Sequence, residues 1–206
     1  MTSLFPMFVK LEGRTCLVVG AGAVGEQKIG SLLGTGARVR VVALKATAAV
    51  LDWANAGKIE LALRTFVDDD LENVFLAVVA TQSRDLNLHI YREAERRGIL
   101  CNVVDVPDLC AFYYPAIVRR GDLQIAISTA GQSPTLAQRL RIWLEQEFGP
   151  EYEEWVADLG AARKLVMASD LAPARKRELL SSLAGRAAVD AALREDHNAT
   201  AKGGTL

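Results

Sequence analysis

Three glycines in the stretch "LVVGAGAVGEQKIG" have the spacing that lets a backbone turn bind a phosphate. Gly20, Gly22 and Gly25 form the pattern G-x-G-x-x-G directly after an apolar run. The first glycine of this pattern allows a tight turn, the second lets the chain approach a pyrophosphate, and the third lets helix and strand pack closely. The amides of Ala23 and Val24 would face phosphate oxygens from a helix N-terminus. We therefore predict a dinucleotide site here, the alternative being glycines that only turn the chain.

The residues after the second apolar run leave the choice of dinucleotide open. An acid that holds the adenosine ribose is usual at that point, whereas this chain has Leu44 and Lys45. Lys45 could attract the 2′-phosphate of NADP or could simply be solvated.

A lone carboxylate, Asp105, follows the last apolar run of the first half in "CNVVDVPDLCAFYYPA". In a doubly wound sheet, ligands lie across the carboxyl ends of the strands, and this position falls on the nicotinamide side. A carboxylate there could accept the proton that a substrate loses together with a hydride. Capping of the turn with Val106 and Pro107 explains an aspartate equally well, so the residues alone favour neither role.

A second polar stretch, "STAGQSPTLAQRL", marks the start of a helix in the other half of the chain. Ser133 is a typical N-cap and Pro134 a typical first helical residue. A glycine-containing turn at a helix start also offers amides to anions, so carboxylate contacts are predicted for Ser128, Thr129, Gly131 and Ser133. Arg119 and Arg120, in a predicted hairpin turn, either add charge-assisted bonds to the same groups or are solvated.

Neither histidine nor cysteine residues have the spacing of a metal site. His89 and His197 lack a second ligand at metal spacing, so no permanent metal site is predicted. Cys16, Cys101 and Cys110 form no CxxC pair and are interpreted as buried thiols.

Composition excludes several classes of partner. The net charge of −1 argues against nucleic acid or an anionic membrane surface as the main partner. No apolar run reaches the roughly 18 to 20 residues of a membrane helix, and the first residues lack the pattern of a signal peptide. These features predict a cytoplasmic globular protein.

The first half alternates short apolar runs with helical patterns. Strands are predicted at 15–20, 37–43, 59–66, 73–81 and 99–105, and helices at about 24–35, 47–56 and 83–97. Runs that are apolar on both faces indicate a buried parallel sheet. Because crossovers are right-handed, the expected fold is α/β, a Rossmann-type doubly wound sheet of order 3-2-1-4-5.

The second half has a different pattern. Two extended runs split by "RRGD" predict an antiparallel hairpin. Helices are predicted at about 135–148, 151–168 and 173–195, followed by a disordered polar tail.

With these motifs in view, the sequence resembles the precorrin-2 dehydrogenase family, which also forms the N-terminal module of multifunctional siroheme synthases. The resemblance covers roughly residues 5 to 165. It is carried by "FPMFVKLEGRTCLVVGAGAVGEQK", "AVVATQSRDLN" and above all "CNVVDVPDLCAFYYPAIVRRGDLQIAISTAGQSPTLAQRLR". The chain departs from the family pattern at Gln27, where an arginine is common, and at Leu44, where a proline is common.

The resemblance implies oxidation of precorrin-2 to sirohydrochlorin with NAD as hydride acceptor. It also implies a homodimer joined by its middle segment and, in some members, insertion of ferrous iron as a second substrate. Asp105 would be catalytic and metal-handling, Thr81 would contact the cofactor, and Asn102 would contact the tetrapyrrole. The family commonly lacks the acid that binds the ribose, so the absence of that acid here agrees with NAD.

The expected domains are a nucleotide-binding domain at 1–112, a dimerisation segment at 113–148, a helical domain at 149–196 and a tail at 197–206. A different class of function is a regulatory module that binds a dinucleotide as a signal without catalysis. That alternative explains the glycine turn equally well, but it gives no reason for Asp105 or for the "STAGQSP" turn.

Overall fold

The chain divides into two units, the first formed by Phe5–Tyr114 and the second beginning at Pro115 and including Leu4. The structure is a computed structural model that describes residues 4 to 185. Among these described residues, no helix is long and apolar enough to cross a membrane. The division of the second unit into a dimerisation segment and a helical domain stays a prediction, as does the cytoplasmic location. The predicted tail at 197–206 lies outside the described residues.

A five-stranded parallel sheet forms the first unit, as the apolar runs predict. The strands are β1 (Thr15–Ala21), β2 (Arg38–Ala46), β3 (Glu60–Leu63), β4 (Leu76–Val79) and β5 (Leu100–Val103). They lie in the order β3-β2-β1-β4-β5, and every neighbouring pair is parallel, which confirms the predicted topology. All four residues of β4 are buried because the strand is central and covered on both faces.

Three helices cover the sheet, namely α1 (Ala23–Leu33), α2 (Ala48–Asn55) and α3 (Arg84–Arg96). One hydrophobic cluster holds Ile29 of α1 and Val50 of α2, while the opposite face holds Ile90 of α3. The hydroxyls of Thr47 and Ser83 cap α2 and α3, each accepting a hydrogen bond from a backbone amide of the first turn.

Several strand boundaries differ from the prediction. The predicted strand at 59–66 ends at Leu63, because Arg64 turns away to form an ion pair with Asp70 at 2.6 Å. The predicted strand at 73–81 begins at Leu76, after a turn in which Asn73 has φ 57°. A 3₁₀ turn at Asp68–Leu71, rather than a helix, joins β3 to β4.

The second unit opens with the predicted hairpin. Strands β6 (Ala116–Arg120) and β7 (Leu123–Ile127) pair antiparallel. Helices α4 (Pro134–Glu147), α5 (Tyr152–Ala168) and α6 (Pro173–Leu183) follow. The predicted helix at 173–195 ends too late, because α6 stops at Leu183 before a turn at Ala184 and Gly185. A glycine is usual just past a helix C-terminus. Residues 186 to 195 lie outside the described residues.

Candidate active site

The glycine turn between β1 and α1 leaves no room for side chains at two of its three glycines. Gly20 has φ 102°, and a Cβ there would collide with the carbonyl oxygen of Ala80. A Cβ at Gly25, which is buried on the sheet side of α1, would collide with the carbonyl oxygen of Gly20. The tight turn and the close helix-strand contact that the spacing predicts are therefore both present.

The middle glycine, Gly22, faces open space. It is the N-cap of α1, and no atom lies within 4 Å of the position that a Cβ would take. Ala23 and Val24 follow in the first turn and are exposed. Their amides belong to the four that a helix start leaves without an intrahelical acceptor. The turn thus fits the pyrophosphate of a dinucleotide, whereas cofactor contact at each residue stays a prediction.

Leu44 and Lys45 lie in an irregularity at the carboxyl end of β2. Val19 pairs with Val42, and Ala21 pairs with Ala46, so β2 has two extra residues opposite the glycine turn. Leu44 and Lys45 are both exposed, Leu44 to 72%. The structure therefore puts them beside the turn, where the residue that contacts the ribose is expected.

Thr81 follows β4 and is held by Asn87, which was not predicted from the sequence as a site residue. Its hydroxyl donates to Oδ1 of Asn87 at 2.5 Å, and Nδ2 of Asn87 donates back to the carbonyl of Thr81 at 3.1 Å. Asn87 is only 6% exposed. Its polar side chain lies on the buried face of α3 together with Ile90 and Ala94. A polar residue at helical spacing from apolar ones is visible in the sequence and could have identified Asn87.

Asp105 occupies a turn that closes the end of β5. The amide of Val106 donates to the carbonyl of Val103 at 3.2 Å, and Asp105 between them has φ 61°. Positive φ is uncommon outside glycine, although aspartate and asparagine adopt it more often than most residues, and it occurs at active sites as well as in turns. The exposed carboxylate makes no hydrogen bond or ion pair with any other residue in the described part of the chain. The predicted strand at 99–105 is accordingly too long, since Val104 and Asp105 form the turn.

The segment after Asp105 folds back onto β5 through Asn102. Its amide nitrogen donates to the carbonyl of Phe112 at 2.8 Å and to the sulfur of Cys110 at 3.3 Å. Asn102 is 6% exposed. The structure thus gives Asn102 a role in fixing the loop that carries Asp105, and the predicted contact with the tetrapyrrole stays a prediction.

The cysteines agree with the prediction at two of three positions. Burial raises the pKa of the Cys16 thiol to about 11 and that of Cys101 to about 12, so both thiols are protonated at neutral pH. Cys110 is wrongly predicted as buried. It is half-buried, because it lies in the loop beyond the sheet, where its thiol donates to the carbonyls of Val103 and Val106.

Lys28 is a further polar residue of this region that the sequence reasoning did not select. It is half-buried on α1, and its Nζ lies 3.8 Å from the centre of the Tyr114 ring. Burial lowers the pKa of Lys28, and the nearby Asp105 carboxylate opposes that change. Burial also raises the pKa of the Tyr114 hydroxyl to about 12, so the ring is neutral.

The "STAGQSP" stretch forms a tight polar turn in the second unit. The amide of Gln132 donates to the carbonyl of Thr129, and the two residues between them have positive φ. The hydroxyls of Ser128 and Thr129 accept from the amides of Ala130 and Ser133. The predicted cap is confirmed, because the Ser133 hydroxyl accepts from the amide of Leu136 at 3.2 Å and Pro134 opens the helix. Contact with substrate carboxylates stays a prediction for Ser128, Thr129, Gly131 and Ser133.

Arg120 has a structural partner within the second unit. Its Nε donates to the carbonyl of Phe148 at 2.8 Å, and its Nη2 donates to that of Glu145 at 3.0 Å. These carbonyls lie at the end of α4, where a cation is favoured by the helix dipole. Arg119 is exposed. Substrate binding by Arg120 stays a prediction.

No cluster of metal ligands occurs in the described residues. Within positions 4 to 185, no three His, Cys, Asp or Glu side chains converge on a point. His89 lies on the surface of α3 and pairs with Asp68 at 2.7 Å. His197 lies outside the described residues.

A parallel 3-2-1-4-5 sheet with a glycine turn between its first strand and helix defines a dinucleotide-binding α/β protein. A family model described as "Putative NAD(P)-binding" matches residues 7–116, which is more than half of the chain, and the chain belongs to this family. A second model, described as "Sirohaem biosynthesis protein central", matches residues 120–146.

The chain is similar in sequence to siroheme synthases. It is 44% identical over 140 residues to a siroheme synthase of Methylococcus capsulatus and 39% identical over 140 residues to one of Nitrosococcus oceani. Each alignment covers 68% of this chain but 30% of the relative, so the chain spans less than a third of their length. The structure is similar to SirC, a precorrin-2 dehydrogenase, with a TM-score of 0.77 and 29% identity, covering 89% of this chain and 90% of that one.

Proposed function

We propose that the protein oxidises precorrin-2 to sirohydrochlorin with NAD. The observation that carries this proposal is the exposed Asp105 carboxylate, which has no partner among the described residues and lies at the carboxyl end of β5, in the same unit as the glycine turn. Similarity to SirC over nine-tenths of both chains supports the same reaction. A regulatory module would need the glycine turn but no free carboxylate at this edge of the sheet.

The first unit supplies the cofactor site. Amides of Ala23 and Val24 bind the pyrophosphate, while open space at Gly22 admits it. Leu44 and Lys45 border the adenosine ribose, and Thr81, oriented by Asn87, lines the site beyond β4. When bound, NAD accepts the hydride that leaves the macrocycle.

Asp105 accepts the proton that the macrocycle loses in the same oxidation. The φ of 61° and the bond from Val106 to Val103 fix the direction in which the carboxylate leaves the backbone. A base held in place reacts without first having to be ordered. Asn102 supports this position by tying the returning segment to β5.

Carboxylate binding is proposed for the turn around Gly131 in the second unit. The amides and hydroxyls around Gly131 suit the carboxylates of a tetrapyrrole, because the turn opens α4 at its positive end. Exposed apolar side chains elsewhere in this unit support a homodimer, namely Ile117 on β6 and Leu136 and Trp143 on α4. Ferrous iron is proposed as a second substrate, inserted into sirohydrochlorin at Asp105.

The test is an optical assay of the purified protein with NAD and freshly made precorrin-2. We expect the absorbance of NADH and that of sirohydrochlorin to rise together in equal amounts. A reaction without protein and one without NAD are the controls. Binding of NAD without any oxidation of precorrin-2 would contradict the proposal and favour the regulatory module.

A further inference from the structure

Lys28 is a half-buried cation without a carboxylate partner. None of the ion pairs among residues 4 to 185 includes it. Its ammonium instead lies over the face of Tyr114, at 3.8 Å from the ring centre. The charge of Asp105 acts on Lys28, although the two side chains form no ion pair. Burial lowers the pKa of Lys28, while the ring face and the carboxylate oppose that change by favouring the protonated form.

A half-buried ammonium with three donors requires acceptors, because loss of hydration without replacement is costly. The ring and the electrostatic field of Asp105 compensate part of that cost, but neither accepts a hydrogen bond from Nζ. An anionic ligand with oxygen acceptors would complete the environment of the ammonium.

The position on α1 separates Lys28 from the pyrophosphate site. Lys28 comes six residues after the N-cap Gly22, which is about 9 Å along the helix axis. Its ammonium is directed to Tyr114, in the segment that returns from β5 and packs on the same face of the sheet as α1. The anion that Lys28 meets therefore lies on the Asp105 side of the site.

We propose that Lys28 is a substrate-binding residue and that its ammonium binds a carboxylate side chain of the tetrapyrrole beside Asp105. This inference rests on the proposed function, since it needs a polycarboxylate substrate at this edge of the sheet. Lys28 and Asp105 then have separate tasks, with the lysine holding the macrocycle and the aspartate accepting the proton.

The test is a spectroscopic titration of sirohydrochlorin into the protein without NAD. Lys28→Met keeps the length and the apolar contact with Tyr114 but removes the charge, and Lys28→Gln is a second neutral variant. Loss of one charge-assisted bond is expected to weaken binding about tenfold to a hundredfold, with unchanged NAD affinity. Lys28→Arg should retain most of the binding. Lys58→Met removes an exposed lysine of the same unit and is the matched control.

Two results would overturn the inference, and they are distinguishable. If wild-type protein oxidises precorrin-2 while both neutral variants bind sirohydrochlorin normally, the role of Lys28 is wrong and the proposed function stands. If wild-type protein neither oxidises precorrin-2 nor binds sirohydrochlorin, the proposed function and the inference both fail. A higher KM for precorrin-2 with unchanged kcat in Lys28→Met would support the inference.

Discussion

Gly22 differs from the two other glycines of the turn because its missing side chain leaves space for a ligand. Gly20 and Gly25 are required by the protein itself, since a Cβ at either position would collide with backbone. Around Gly22 no atom lies within 4 Å of a Cβ position. Substitution at Gly22 therefore tests cofactor binding with little effect on the fold.

We predict that Gly22→Val folds normally and binds NAD at least about tenfold more weakly, because the side chain would occupy the space of the pyrophosphate. A fluorescence titration with NAD measures the affinity, and thermal unfolding verifies the fold. Gly34→Val is the matched control, since Gly34 ends the same helix in open space with φ −79°. Equal NAD affinity in the two variants would refute the assignment of the glycine turn.

At the scale of single residues, features set by local sequence were predictable, and contacts between distant residues were not. The glycine turn was predictable because it follows from local spacing, whereas the turn at Val104 and Asp105 was predicted as the end of a strand. The contact of Lys28 with Tyr114 was not, since it joins residues 86 positions apart whose pairing depends on how the segment after β5 folds back. The partners of Arg120 escaped prediction for the same reason, because they lie 25 and 28 residues away.

Among the elements, the connection from β3 to β4 contains a 3₁₀ turn with a buried Leu71 and an ion pair between Asp70 and Arg64. Both oxygens of Asp70 accept from Arg64, at 2.6 and 2.8 Å, and one also accepts from the amide of Val67. The hydrogen bonds from Arg64 are the largest cause that lowers the pKa of Asp70, although burial opposes them. Asp70 is 9% exposed, whereas the side chain of Arg64 is 46% exposed.

We predict that Asp70→Asn lowers the free energy of unfolding by about 1 to 2 kcal/mol at pH 7. This loss is small for an ion pair with a buried carboxylate, because Arg64 is solvated. The folded pKa of Asp70 is below that of the unfolded chain, near 3.9. Its contribution is therefore present above about pH 4 and is lost as the pH falls through the folded pKa. Urea unfolding should show a smaller difference in the free energy of unfolding between variant and wild type at pH 3 than at pH 7. Asp69→Asn, an exposed neighbour, is the control, and a difference that is constant with pH would contradict the prediction.

The order of the strands could be predicted, whereas the lengths of the elements could not. Apolar runs and right-handed crossovers determine 3-2-1-4-5, and the structure has that order. The end of β3 depends on the tertiary partner of Arg64, whereas the start of β4 and the end of β5 depend on the turns at Asn73 and Asp105. The end of α6 at Leu183 was missed because the helical pattern continues in the sequence past Gly185.

At the scale of the whole molecule, the second unit has many large apolar side chains that are exposed. No residue of α5 or α6 in the described range is buried. On α4, Leu136 and Trp143 are 48% and 54% exposed and lie seven residues apart on one side of the helix. Such a surface favours self-association.

We predict a homodimer at micromolar concentration and a monomer for Trp143→Glu, because a charge would be buried in the contact. Sedimentation velocity measures the mass. Gln138→Glu introduces the same charge on the opposite side of α4 and should leave the dimer intact. A wild-type monomer, or a Trp143→Glu dimer of unchanged affinity, would disprove this interface.

The most direct test of the proposed chemistry is the turnover of Asp105→Asn with NAD and precorrin-2. Asparagine keeps the shape of aspartate and tolerates positive φ, but it cannot act as a base at neutral pH. We predict normal folding, normal NAD affinity and a turnover lowered by about 10²- to 10⁴-fold. Asp108→Asn, an exposed aspartate in the 3₁₀ turn Pro107–Leu109, should retain wild-type turnover. A folded Asp105→Asn protein that oxidises precorrin-2 at the wild-type rate would contradict the catalytic role and leave Asp105 as a turn residue.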